Sequence, residues 1–261
     1  MANIEYIRAS SLNTYLECSA KFMFQNIEKV ETGNKPALAF GTSIHKALET
    51  NFTQKIESRQ DLPLEQIKEV FSNTLDVEFS NVDPLDFEEK PGAYKDSGIE
   101  LVTKYQKEHA YRIQPALVEK KIEVKFKGYE IGLSGTIDLV DEDGILVDHK
   151  TTSKQVTEIP QGYQLQVGGA YPLLYRALTG KKLNGIRVDF LVRKSLKAHY
   201  NDVLPIGIEE DEQYFINVFN AVTSGIKNGV FAPNRQHMYC TKRFCKFAEI
   251  CENRFKGKVR N

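Results

Sequence analysis

The stretch Gly135–Lys150, GTIDLVDEDGILVDHK, constrains this chain most. Apolar residues alternate through Ile137 and Leu139 and again through Ile145 and Val147. Asp141-Glu142-Asp143-Gly144 lies between them as turn chemistry, so two antiparallel strands are predicted. Charged residues then fall where a sheet face should be apolar. Asp148 and Lys150, two positions apart, share a face of the second strand, and Asp138 on the partner strand can meet them. Two carboxylates and an ammonium on one face are costly unless something binds, and a hard divalent cation suits them.

The surrounding pattern extends the hairpin into a meander. LVEKKIEVKF forms a first strand from Leu117, Lys127-Gly128 a turn, YEIGLSGTIDLV the second strand and ILVDHKTT the third. Glu119 projects from the first strand, where it could join the metal shell, though an exposed sheet carboxylate is the expected reading. Upstream, a helix starting near Ser10 carries Cys18 in its middle, and residues 31–41 form a loop. Thr42 or Ser43 then caps a helix with His45 in its first turn, and amphipathic helices follow over about 64–79 and 94–111.

Downstream, a helix over about 162–178 carries Gln164, Gln166 and Tyr171 and ends at Gly180. NGIRVDFLVRK reads as a strand, Val203–Ile206 as a short one, and 209–227 as a helix. This order predicts an α/β fold, a central mixed β-sheet flanked by helices.

With 35 basic and 35 acidic residues the net charge is zero, so global charge favours no polyanionic partner. Its distribution is uneven. Residues 61–100 carry eleven acids against three bases, and 235–261 carry eight bases against two acids. No apolar run approaches the roughly 20 residues of a membrane span, so no membrane partner is expected. MANIEYIRASSLNTY has neither the basic nor the apolar region of a secretory signal, which predicts a cytoplasmic protein without stable disulfides. Cys240, Cys245 and Cys251, with local bases and aromatics, then read as metal or cluster ligands, and Cys18 is the one cysteine left to complete four. Zinc and an iron–sulfur cluster are both compatible with four thiolates.

The ordered set resembles the PD-(D/E)XK nuclease superfamily, and within it the RecB-like branch. The residues that carry the likeness are Gly41-x-x-x-His45, Gly135-x-x-Asp138, Asp148-x-Lys150 and the glutamine–tyrosine helix at 164–171. The likeness extends to members with C-terminal iron–sulfur cysteines, the AddB-type and CRISPR-associated nucleases, which place one cysteine in an N-terminal helix and three in the tail around a [4Fe–4S] cluster. Two spacings depart from that pattern. The tail opens with Cys240-x₄-Cys245 rather than two intervening residues, and Val167 stands where the family's glutamine precedes its tyrosine by four, leaving Gln164 and Gln166 as alternatives.

The resemblance implies one nuclease domain over 1–261 with a restriction-endonuclease-like core at about 117–206. A helical insertion would span about 42–112, and an iron–sulfur clasp would join 10–25 to 235–256. It implies a Mg²⁺- or Mn²⁺-dependent deoxyribonuclease, an exonuclease preferring single-stranded DNA ends, in repair, recombination, phage replication or CRISPR adaptation. Asp138, Asp148, His45 and the backbone carbonyl of His149 would hold the metal, with the His149 side chain turned away. Lys150 would orient or deprotonate water, and Gln164 or Gln166 with Tyr171 would position the phosphate. Lys242, Arg243, Lys246 and Arg254 would steer the strand, while Tyr239, Phe244 and Phe247 would pack around the cluster, with stacking on bases as the alternative. The second reading is a nuclease-fold DNA-binding subunit of a larger recombination or adaptation complex. Without a Walker-type loop, a helicase partner would be a separate chain.

Overall fold

The computed structural model describes residues 4–153, 155–156, 161–200 and 209–261. A short strand β1 (Tyr6–Arg8), too brief to show in the sequence pattern, leads into α1 (Ala9–Glu17) and α2 (Ser19–Phe22). Cys18 is not inside one long helix. Its backbone is extended, φ −164°, and it divides the two helices. The chain continues as a π turn over Met23–Ile27.

α3 (Pro36–Ser58) begins earlier than expected, because Pro36 occupies the first turn, where its missing N–H costs nothing. Ser43 therefore does not cap; its hydroxyl donates to the Ala39 carbonyl inside the helix. His45 lies well within α3 rather than in its first turn.

α4 (Leu64–Phe79) buries Ile67, Phe71 and Leu75, one stripe at helical spacing, and α5 (Pro91–Glu108) packs beside it. The sheet follows as β2 (Pro115–Val124), β3 (Gly132–Asp141) and β4 (Ile145–Thr152). Next come α6 (Gln161–Gln164), a π turn over Leu165–Ala170 and α7 (Tyr171–Thr179), which ends at Gly180. β5 (Gly185–Val192), β6 (Lys197–Tyr200), α8 (Glu209–Lys227) and α9 (Ala248–Phe255) complete the described elements. The strand expected at Val203–Ile206 lies outside the described residues.

The sheet is mixed: β2–β3, β3–β4 and β5–β6 are antiparallel, whereas β1–β3 and β4–β5 are parallel. Ser134 pairs with both Glu123 and Arg8, and Leu139 with both Val118 and Val147. β1 and β4 must therefore share the edge of β3 opposite β2. β4 is in register with β3 only at Leu139–Val147 and Val140–Leu146, and β1 only at Gly132–Ser134, so that edge opens between Gly135 and Asp138.

One sheet face packs Leu146, Val188 and Phe190 against Leu12, Leu174 and Phe215 of α1, α7 and α8. The other packs Leu139, Val147 and Leu191 against Phe40, Ile44, Phe71 and Leu101. The helices expected as an inserted lobe thus cover a face of the sheet. A third cluster joins Ala20 and Phe24 to Phe247 and Cys251, seating the C-terminal tail on α2. No described helix is long and apolar enough to cross a membrane.

Candidate active site

The opening in the sheet is where the charged residues gather. Asp138 fills the gap between the splayed strands, and its Oδ2 accepts the backbone N–H of His149 at 2.9 Å. α3 comes close to β4 at Gly41, where a Cβ would lie 3.0 Å from Thr151 Oγ1, tighter than ordinary contact. The Gly-x-x-x-His spacing thereby places His45 one turn further on, its Nδ1 3.5 Å from Asp138 Oδ2 and 3.8 Å from Glu119 Oε1. His45, Glu119 and Asp138 each offer an atom within 4.8 Å of the others, a metal-ligand grouping among the described residues.

Glu119 corrects the sequence expectation. Only 26% of its side chain is exposed, and the register of its neighbours sets it across from Asp138, where like charges repel. Its backbone is left-handed, φ +43°, a conformation costly for a residue other than glycine and concentrated at functional sites. Hydrophobic alternation carries no mark of such a residue.

Asp148 is fully buried, with Oδ2 2.7 Å from Lys150 Nζ. That contact is an ion pair without hydrogen-bond alignment, and Oδ1 has no hydrogen-bond partner among the described residues. Asp148 does not join the ligand grouping of His45, Glu119 and Asp138. Burial, only partly offset by Lys150 and reinforced by Asp138, pushes its carboxyl up to about 6. Burial likewise raises Asp138, with His45 and Lys150 opposing and Glu119 adding to it. For Lys150 burial favours the neutral amine, but Asp148 and Asp138 outweigh it and keep it charged. For His45 burial is outweighed by Glu119 and Asp138, and its pKa rises.

These directions carry a stability consequence. A carboxyl with a raised folded pKa binds more protons folded than unfolded, so its favourable share is complete below about pH 4 and fades as pH climbs towards 6. In chelator, the unsubstituted chain should lose melting temperature relative to Asp148→Asn protein as pH climbs from about 4 to 7.5, on top of whatever offset the variant carries from leaving Lys150 without this ion pair. Scanning calorimetry across that range checks it; a difference in melting temperature that does not move with pH would refute it.

His149 sits on the other side of β4, its ring stacked on Phe52 at 6.0 Å. In register with it on β5, Asp189 accepts the Tyr105 hydroxyl at 2.6 Å and pairs with Arg187 at 2.8 Å. Tyr105, its one proton given to Asp189, accepts from His149 Nε2 at 2.8 Å. Burial keeps His149 neutral. Its Nδ1 nonetheless stays 3.8 Å from Asp138 Oδ2, near the site rather than far from it.

The glutamine–tyrosine helix resolves through its π turn. With one extra residue per turn, Gln166 and Tyr171, five apart, come to one side, and the Gln166 amide donates to the Tyr171 oxygen. Both line a cleft of about 380 Å³ with Asp138, Arg8 and Lys121. Gln164 does not line this cleft. On the other side of Asp138, His45, Glu119, Lys150 and Thr151 line a second cleft of about 460 Å³.

All four cysteines are free thiols. Cys18, Cys245 and Cys251 border the apolar cluster that joins the tail to α2, and burial raises the thiols of Cys245 and Cys251. Cys18 Sγ lies 3.9 Å from the Ala232 carbonyl and 3.4 Å from the Asn234 N–H. No cysteine joins a grouping at the mutual distances of ligands to a single metal ion among the described residues, yet the charges of Cys18, Cys240 and Cys245 all bear on the Cys251 thiol. Phe247 is buried as expected, but Tyr239 and Phe244 are 53% and 56% exposed, not packed away.

The sequence model of the PD-(D/E)XK nuclease superfamily matches residues 7–252 of this chain. No curated protein matches it. Among solved structures, the crystal structure of a "Putative exonuclease" from Eubacterium rectale superposes with a TM-score of 0.59 at 14% identity, covering 97% of this chain and 89% of that one. The crystal structure of SSO0001 gives 0.40 at 13% identity, covering 94% and 97%.

Proposed function

The chain belongs to the PD-(D/E)XK nuclease superfamily, and from that premise we propose that it is a Mg²⁺- or Mn²⁺-dependent deoxyribonuclease, an exonuclease acting on single-stranded DNA ends. Its mixed sheet with helices on both faces is the restriction-endonuclease-like architecture of that superfamily. The observation that carries the reading is the convergence of His45, Glu119 and Asp138 beside the buried Asp148–Lys150 pair.

The donor set fits a hard divalent ion: two carboxylates and an imidazole meet, and a third carboxylate, buried, has an oxygen without a hydrogen-bond partner among the described residues. Asp138, Glu119, His45 and Asp148 would hold the ion, which when bound would polarise the phosphate and acidify a water. Lys150, kept charged by two carboxylates, acts by orienting the attacking water and opposing developing negative charge rather than as a base. Tyr171 stays a phenol, mainly through burial. Its oxygen already accepts from Gln166, so its proton is free to be donated to a phosphate in the Arg8–Lys121 cleft.

End-labelled single- and double-stranded DNA, incubated with the protein and Mg²⁺ or Mn²⁺, tests the activity. Progressive shortening of the single strand is expected. DNA binding with neither metal supporting cleavage would favour the subunit reading, and absence of both would end the proposal. Glu119→Gln should weaken Mn²⁺ binding at least about tenfold by calorimetry, given that even outer groups around a metal matter to that extent. An unchanged affinity would remove Glu119 from the shell.

The iron–sulfur assignment rests on the four-cysteine pattern and on the meeting of α2 with the tail on one apolar cluster. Anaerobic purification should give brown protein containing iron and sulfide. Colourless protein with four titratable thiols would reject it.

A further inference from the structure

The acid-rich stretch and the base-rich tail meet beside the active site. A cleft of about 630 Å³, lined by Lys35, Arg193, Lys194, Arg243, Tyr94 and Phe244, shares Ala37 and Thr151 with the cleft that holds His45, Glu119 and Lys150. Three of its cations are taken up by one acidic segment, which starts at the end of a tight turn over Pro84–Asp86. Lys35 pairs with Asp86, Arg243 with Glu88 at 3.0 Å, and Arg193 grips Glu89 through two hydrogen bonds of 3.0 and 3.1 Å.

The chemistry of the wall is that of a strand-binding surface. Arg193 lies over the Tyr94 ring at 4.2 Å and presents its planar fork, a geometry suited to a phosphate as much as to a carboxylate. Phe244 offers an exposed ring beside Arg243, and an aromatic next to a cation is what a stacked base and its phosphate use. Asp86, Glu88 and Glu89 put three negative charges into four residues, a short polyanion on a cationic track that opens onto the metal-ligand cluster.

We propose that this cleft is the track for the backbone of a single DNA strand at the active site, and that Asp86, Glu88 and Glu89 stand in phosphate positions from which the strand displaces them. The inference rests on the nuclease reading and gives it a strand path. Exchange is cheap where the pairs are exposed: Arg243 and Glu88 are 70% and 68% exposed, and an ion pair so open to water contributes little. An incoming phosphate therefore competes with a weak partner.

The test measures binding, with chelator present so that nothing is cut. A fluorescein-labelled oligothymidine of about 20 nucleotides is titrated by anisotropy across a salt series. Glu88→Gln/Glu89→Gln protein should bind about tenfold tighter than the unsubstituted chain. Its plot of log affinity against log salt should steepen by about 0.7 for each cation released to a phosphate. Glu65→Gln/Glu142→Gln, which breaks the Lys68 and Arg59 ion pairs on residues that do not line the cleft, controls for net charge and should change neither quantity comparably. Adding Arg193→Gln and Arg243→Gln should erase the gain.

Because the Arg193–Glu89 pair is partly buried, Glu88→Gln alone serves as the second variant, at a pair exposed on both sides. Equal gains in the control and cleft variants, or unchanged affinity in the cleft variants, would overturn the track while leaving a chain that cleaves DNA as a nuclease. Failure of every protein to bind or cut the strand would overturn the nuclease reading itself, and the track with it.

Discussion

Lys150→Ala protein should fold normally and lose metal-dependent cleavage by about 10³-fold or more, the scale of one preorganised charge aimed at a transition state. Two effects act together. The substitution removes the ammonium that would hold the water and oppose charge at the phosphate. It also strips Asp148 of the cation paired with it 2.7 Å away, leaving a buried carboxyl whose burial already pushes it up to about 6. That carboxyl then takes a proton more readily, so metal binding should weaken at neutral pH and recover partly as pH rises. The fold survives because a neutral acid is tolerable in place of an ion pair. Gel assays of labelled DNA, a melting curve and Mn²⁺ titrations at two pH values check the three parts. Normal cleavage by well-folded Lys150→Ala protein would refute the mechanism.

Gly98→Val should be the most damaging substitution to the fold. A Cβ at Gly98 would lie 1.9, 2.5 and 2.7 Å from three ring atoms of Phe71, and Phe71 is fully buried with Phe40 edge-on at 5.8 Å. The ring cannot yield without displacing the cluster that also holds Ile44, next to His45 on α3. Overpacking of this kind costs about 1–3 kcal/mol, and valine adds two methyls beyond the clash, so a fall of about 5–10 °C in melting temperature is expected. Cleavage should fall further than stability alone explains, since His45 shifts with α3. Gly98→Ala should show a smaller loss, and trimming the ring with Phe71→Leu in that background should recover part of it. A Gly98→Val protein melting like the unsubstituted chain would contradict the α4–α5 packing.

Local pattern made much of this molecule legible. Strand alternation and a DEDG turn set out β3 and β4, and the apolar stripe Ile67–Phe71–Leu75 set out α4, because side-chain period follows directly from backbone geometry. The parts that escaped are those decided by partners distant in sequence. β1 has three residues, and its pairing with Gly132–Ser134 comes from across the chain. Cys18 breaks a helix that its neighbours' spacing predicts as continuous, where Asn234 and Ala232 meet its sulfur.

The site divides along the same line. Asp138, Asp148 and Lys150 could be named from two adjacent strands, because charge on a face that should be apolar is a local anomaly. Glu119 showed in the sequence only as a carboxylate on the first strand, with exposure the expected reading, because its part depends on a left-handed backbone and on a register some twenty residues away. Gln166 meets Tyr171 because the helix winds there as a π turn, which the regular helical spacing of the sequence does not announce. Sequence by itself determined which chemical groups this protein carries and on which strands. Tertiary structure alone decided which of them share one opening in the sheet, since charges separated along the chain acquire a common field only when packing brings them within a few ångströms.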